Sequence, residues 1–168
     1  MTTTSTPTTG VLSVVMPCFN EEQTVKEILD RVLESPLVGE VIAIDDASTD
    51  STLSILRAYD DPRLRVLAQP VNCGKGAALR LGFAEATKQF VIVQDADLEY
   101  DPGEYPKVLG PLLNDEADVV YGSRFSGGDA RRILYFWHTL GNRALTIASN
   151  MATNLNLSDM ETCYKAFR

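Results

Sequence analysis

Val11-Leu12-Ser13-Val14-Val15-Met16 is a short, valine-rich apolar run, and Pro17-Cys18-Phe19-Asn20-Glu21-Glu22 follows it directly. A continuous apolar run of this length reads as a strand buried on both faces. Asn20 is placed to cap a helix, with Glu21 and Glu22 in a first turn whose dipole favours negative charge. Val25, Ile28, Leu29, Val32 and Leu33 then recur at i, i+3, i+4, i+7 and i+8, forming one apolar helical face.

This strand–turn–helix unit decides the fold because it recurs. Strands are predicted at Glu40 to Ile44, Leu64 to Ala68, Phe90 to Val93 and Asp118 to Tyr121. Helices are predicted after Asp50, over Gly76 to Thr87 and over residues 133 to 155. Pro106 and Pro111 predict only a short or broken helix between the last two strands. Alternation of this kind predicts an α/β fold: an open, mostly parallel sheet with helices on both faces. Residues 11–168 read as one domain, preceded by a disordered Thr- and Pro-rich tail over residues 1–10.

The chain has 168 residues, 45% of them hydrophobic, and a formal net charge of −8. That charge argues against a nucleic-acid partner, because phosphate backbones attract basic surfaces. Cys18, Cys73 and Cys163 show no CxxC spacing. With no signal peptide and no apolar run near the roughly 20 residues of a membrane span, they predict reduced thiols and a cytoplasmic location.

In open α/β sheets, ligands bind beyond the carboxyl ends of the strands. The predicted strand ends gather Asp45 and Asp46, the glycine-rich turn Asn72-Cys73-Gly74-Lys75-Gly76, Asp95-Ala96-Asp97-Leu98-Glu99 and Gly122-Ser123-Arg124. Asp95 and Asp97, spaced i and i+2, can point the same way and offer oxygen ligands to Mg²⁺ or Mn²⁺, with Glu99 as a further ligand. The same aspartates would also serve as helix caps. Asp46 suits a base N–H or a ribose hydroxyl, and equally a turn leading into a helix. Lys75 adds positive charge at a helix N-terminus, though the turn matches neither a P-loop nor a dinucleotide fingerprint. Arg124, Arg131 and Arg132 form a basic cluster suited to phosphate or to a solvated loop. The apolar stretch after it, Ile133 to Trp137, suits either core packing or a membrane interface. His138 and Cys163 read as packed side chains.

The ordered motifs PCFNEE, DDASTD, NCGKG, DADLE, GSRF and SDMETCYKAFR together resemble the family 2 glycosyltransferases of the GT-A fold, in the dolichol-phosphate mannose synthase-like branch. The resemblance implies that Pro17, Asn20 and Glu22 border the nucleotide, and that Asp46 contacts the nucleoside. It also implies that Lys75 lies near the donor and that Asp95 and Asp97 hold the metal. Glu99 stands where such enzymes often have glutamine. Arg124 matches an arginine beside the acceptor phosphate, and Asp159 lies in a segment that closes over the sugar. Relatives commonly continue past KAFR with further helices, so either a trimmed form of a longer enzyme or a minimal form is expected.

The implied activity is a metal-dependent, inverting transfer from a UDP- or GDP-sugar to a polyprenyl or dolichyl phosphate, with peripheral membrane contact. Asp97, Arg124 and Asp159 would act in catalysis. An alcohol acceptor would need a general base, with Asp159 and Glu161 as candidates. A sugar nucleotidyltransferase and a non-catalytic nucleotide-sugar-binding module are the alternatives.

Overall fold

The computed structural model describes residues 9–122, 136–154, 156–157 and 162–168, and the side chains of all of these except 136–140. The expected disordered tail falls almost wholly outside them. The strands are β1 (Leu12–Cys18), β2 (Val38–Asp45), β3 (Leu64–Ala68), β4 (Phe90–Val93), β5 (Val119–Tyr121) and β6 (Lys165–Phe167). The helices are α1 (Val25–Glu34), α2 (Thr52–Ala58), α3 (Lys75–Glu85), α4 (Tyr105–Leu113) and α5 (Phe136–Thr153). One six-stranded sheet runs β3-β2-β1-β4-β6-β5. The β1–β2, β1–β4 and β2–β3 pairs are parallel, and β6 is antiparallel to both of its neighbours. The α/β architecture is the expected one. The antiparallel β6 was not foreseen, since three residues carry too little periodicity to announce a strand.

The order reverses at β1. The chain builds outward through β2 and β3, then returns to lay β4 on the other side of β1. The two loops that leave β1 and β4 therefore part from each other and open a crevice at the carboxyl edge.

One face of the sheet carries the larger core. Ile28, Leu29 and Val32 of α1 and Leu109 and Leu112 of α4 pack there with Leu12, Val14 and Met16 of β1. On the other face Ala78 of α3 meets Val15, Ile42 and Ile44. Helix α3 lies close because its buried residues are small: Ala78 and Gly82. A Cβ at Gly82 would stand 2.3 Å from Val15 Cγ1 and 2.8 Å from Ile44 Cδ1.

Two local expectations need correction. Asn20 does not cap α1, which starts at Val25 after a turn. Its side-chain oxygen accepts instead from Thr49 N (2.8 Å) and Thr49 Oγ1 (3.2 Å), and its backbone is left-handed at φ 58°. The segment between the prolines is also more regular than expected. Pro106 falls in the first turn of α4, where no N–H is required, and the helix continues through Pro111. Burial of Tyr105, Val108, Leu109 and Leu112 outweighs the lost bond.

At the opposite, amino-terminal edge, Glu40 is 7% exposed. It accepts from Ser13 Oγ (2.6 Å), Thr87 N (2.7 Å) and Thr87 Oγ1 (2.9 Å). Burial alone would raise its pKa, but these donors hold it below the usual carboxylate value.

Two outcomes are expected. Gly82→Ala should destabilise the domain by about 1–3 kcal/mol in urea unfolding, although alanine is the better helix former, because overpacking outweighs propensity. A carboxylate with a depressed folded pKa stabilises above its unfolded pKa and loses that contribution as pH falls through the folded one. The stability gap between the native chain and Glu40→Gln should therefore be full at neutral pH and close below pH of about 4. A gap constant from pH 7 to pH 3 would remove this role.

Candidate functional site

The crevice at the strand reversal is a cavity of about 380 Å³. Pro17, Phe19 and Glu21 line it from the end of β1, and Asp46 from the end of β2. Asn72, Gly74 and Lys75 come from the turn into α3, and Asp95 and Asp97 from the end of β4. Of the residues singled out from sequence, Pro17, Asp46, Lys75, Asp95 and Asp97 are thus brought together. Asn20, Glu22 and Glu99 are not part of this lining. Arg124, Arg131, Arg132, Asp159 and Glu161 lie outside the described residues.

Asp46 is 3% exposed. One oxygen accepts from Gln69 Nε2 (3.0 Å) and Cys73 N (2.8 Å), the other from Gly74 N (2.7 Å). Gly74 has φ 83°, a conformation that glycine adopts without strain. The carboxylate therefore fixes the shape of the glycine-rich turn and, through it, the start of α3.

The loop after β1 and the loop after β2 clasp each other. Asn20 N donates to Ser48 Oγ (3.0 Å), Glu21 N to Thr52 Oγ1 (2.8 Å) and Glu22 N to Asp50 Oδ2 (3.2 Å). Ser51 N returns a bond to Glu22 Oε2 at 3.0 Å. Asp50, one residue ahead of Ser51, the N-cap of α2, also accepts from Thr52 N at 2.9 Å. Asn20 and Glu22 thus contribute to the site through the backbone they hold.

The Asp95–Tyr100 loop rests on a buried network that the sequence did not disclose. Gln94 is fully buried, and its amide nitrogen donates to the carbonyls of Asp95 (3.1 Å) and Tyr100 (3.3 Å). Its amide oxygen accepts from the hydroxyls of Tyr105 (2.8 Å) and Tyr164 (2.9 Å). Burial keeps both phenols neutral by pushing their pKa values up, so they remain donors. The one available signal was a glutamine closing an apolar strand, which demands partners. Leu98, at φ 64°, holds a left-handed backbone that is unfavourable for its side chain.

Lys75 Nζ lies 2.6 Å from Asp95 Oδ1 and 4.0 Å from Cys163 Sγ. Burial is the largest single influence and opposes its charge, but the bond to Asp95 together with the nearby charge of Asp95, Asp97 and Cys163 outweighs it and raises its pKa, so the ammonium is charged. Cys18 and Cys163 are buried free thiols whose pKa values burial drives upward, which argues against either as a nucleophile. Asp97 Oδ1 accepts from Glu99 N at 3.0 Å. Among the described residues no three His, Cys, Asp or Glu side chains converge as a ready metal cage. The donor set nevertheless fits a hard cation: carboxylates flank the cavity, and a cationic nitrogen already sits on one of them.

Residues 13–168 match the family model described as Glycosyl transferase family 2. Dodecaprenyl-phosphate galacturonate synthase of Rhizobium johnstonii is 36% identical over 120 residues, covering 67% of this chain and 36% of that protein. A dolichyl-phosphate beta-glucosyltransferase of Trichomonas vaginalis is 27% identical over 177 residues, covering 96% of this chain and 54% of that one. Among solved structures, glucosyl-3-phosphoglycerate synthase from Mycobacterium tuberculosis, in complex with Mn²⁺, UDP-glucose and phosphoglyceric acid, superposes with a TM-score of 0.70 at 29% identity. That match covers 94% of this chain and 56% of the other. The chain thus spans about a third to somewhat over half the length of these three proteins.

Asp46→Ala should unpin the turn at Cys73 and Gly74 and leave their N–H groups without an acceptor. The expected loss is about 2–4 kcal/mol in denaturant unfolding, with new protease sensitivity near residue 73. A loss below about 0.5 kcal/mol would mean that the turn holds its shape without the carboxylate.

Proposed function

The chain belongs to glycosyl transferase family 2 and has the GT-A fold, and on that premise we propose that this domain binds a UDP- or GDP-sugar with a divalent cation and transfers the sugar, with inversion, to a polyprenyl phosphate. The observation that carries this reading is the gathering of Asp46, the glycine-rich turn with its Lys75, and Asp95 and Asp97 around one cavity. A nucleoside diphosphate needs both sides: shaped backbone for the nucleoside and positive charge for the phosphates.

Asp95 and Asp97 would hold Mg²⁺ or Mn²⁺, which when bound supplies Lewis-acid stabilisation to the leaving diphosphate. Lys75, at the first turn of α3, adds a second positive charge where the phosphates must lie. The acceptor oxygen forms the new bond to the anomeric carbon as the bond to the diphosphate breaks. A phosphate acceptor is already largely ionised at neutral pH, so that step requires no strong base. Arg124, with Arg131 or Arg132, is assigned to that phosphate, and Asp159 to the sugar end. The polyprenyl- and dolichyl-phosphate enzymes among the relatives support the lipid acceptor. The structure solved with Mn²⁺ and UDP-glucose supports the cation and favours uridine.

No described helix is long and apolar enough to cross a membrane. Leu145, Ile147 and Met151 of α5 are 51%, 60% and 82% exposed, which suits a domain that meets its lipid substrate peripherally.

Thermal melting with UDP or GDP tests the donor site. With Mn²⁺ present, a nucleotide at 100 times its Kd adds about 2.7 kcal/mol and should raise Tm by several degrees. EDTA and Asp97→Asn should each abolish the shift. Equal shifts with ADP or NAD, or no shift with any nucleotide, would overturn the reading.

A further inference from the structure

Asp95 and Asp97 line a partly open cavity, and Lys75 is bound to Asp95 Oδ1 at 2.6 Å. The lysine side chain is 53% exposed, whereas that of Asp95 is only 18% exposed. The carboxylate is therefore fixed in the wall, and the ammonium is the mobile partner. Asp95 is held from behind, because Gln94 Nε2 anchors its carbonyl at 3.1 Å. Apart from Asp95, the Lys75 ammonium meets only a long contact to Cys163 Sγ at 4.0 Å, and its backbone is the first residue of α3 after the Gly74 turn. With Lys75 in place, the two aspartates and the lysine sum to a single negative charge. Without it the pair presents two negative charges to a divalent ion.

Resting on the donor-site reading above, we propose that Lys75 is a built-in counter-ion that competes with the divalent cation for Asp95 and is released onto the donor diphosphate. The cation alone meets a ligand already taken and a repelling ammonium. A diphosphate alone meets two aspartates that repel it. Arriving together, they resolve both conflicts: the ammonium leaves Asp95 for a phosphate oxygen and the cation takes the carboxylate. Lys75 thereby couples cation binding to nucleotide binding, and keeps the aspartate pair from collecting free divalent ions between turnovers. By linkage, each ligand tightens the other by the same factor.

The test is Mn²⁺ affinity read by the electron paramagnetic resonance of free Mn²⁺, with and without saturating UDP or GDP. It compares the native chain, Lys75→Met and Lys75→Arg, all checked for fold by circular dichroism. Lys75→Met should bind Mn²⁺ alone at least about fivefold more tightly than the native chain. Its gain from nucleotide should shrink by a similar factor. Lys75→Arg keeps the charge and should behave like the native chain. The inference is overturned, and the donor site left standing, if the native chain binds Mn²⁺ with nucleotide while Lys75→Met binds Mn²⁺ alone no more tightly than native. It also falls if Lys75→Arg matches Lys75→Met. If the native chain holds no Mn²⁺ even with nucleotide, the donor-site reading itself fails and takes the inference with it.

Discussion

A carboxylate buried at the edge of a sheet must receive its hydrogen bonds from the protein, and Asp46 receives three from two different segments. That requirement organises the carboxyl edge. It ties the end of β2 to Gln69 beyond β3 and to the turn that starts α3, so the position of Lys75 follows from the charge on Asp46. The same logic joins the loops after β1 and β2, where backbone N–H groups of residues 20–22 meet side-chain oxygens of residues 48–52. Charge that would repel across an open rim instead becomes its scaffold.

The loop after β4 is held differently. Its two ends are fixed by one neutral amide, Gln94, whose four contacts satisfy it completely within the core. A neutral anchor suits this position. A charged one would shift the field at Asp95 and Asp97, whereas an amide sets position and leaves the charge to Lys75. Strained backbone at Leu98 and Ala47, both left-handed, marks loops shaped by these anchors rather than by local preference.

The fold was legible because hydrophobic periodicity is local, and each apolar run from Val11 to Val93 announced its own element. The limits of legibility are physical too. Strand β6 owes its existence to β4 and β5, which lie far away in sequence. Helix α4 survives Pro111 because its apolar face is buried. At the site, the residue types on the rim pointed to the carboxyl edge of the sheet, and Asp95, Asp97, Lys75, Asp46 and Pro17 line one cavity there. Sequence could not separate carboxylates that face the cavity from those spent on backbone. Glu22 and Asp50 carry the same carboxylate as the cavity acids, and only their tertiary partners show that they, like the Asn20 amide, bond backbone between the two loops. Gln94 and its tyrosines were invisible for the converse reason, since a satisfied buried amide looks like any polar residue until its partners are known.

The antiparallel placement of β6 has a consequence for how the domain matures. Tyr164 reaches Gln94 across 70 residues of sequence, and Cys163 stands beside Lys75 from the same segment. Contacts of that range close slowly, because the intervening chain must first be ordered. On the ribosome, β1 to β4 can pair as soon as they emerge, but the platform beneath Asp95 lacks the second of its two tyrosines until the β6 segment arrives. The chain can therefore acquire its overall shape before it acquires a competent rim, and ligand binding would report the completion of folding rather than its beginning.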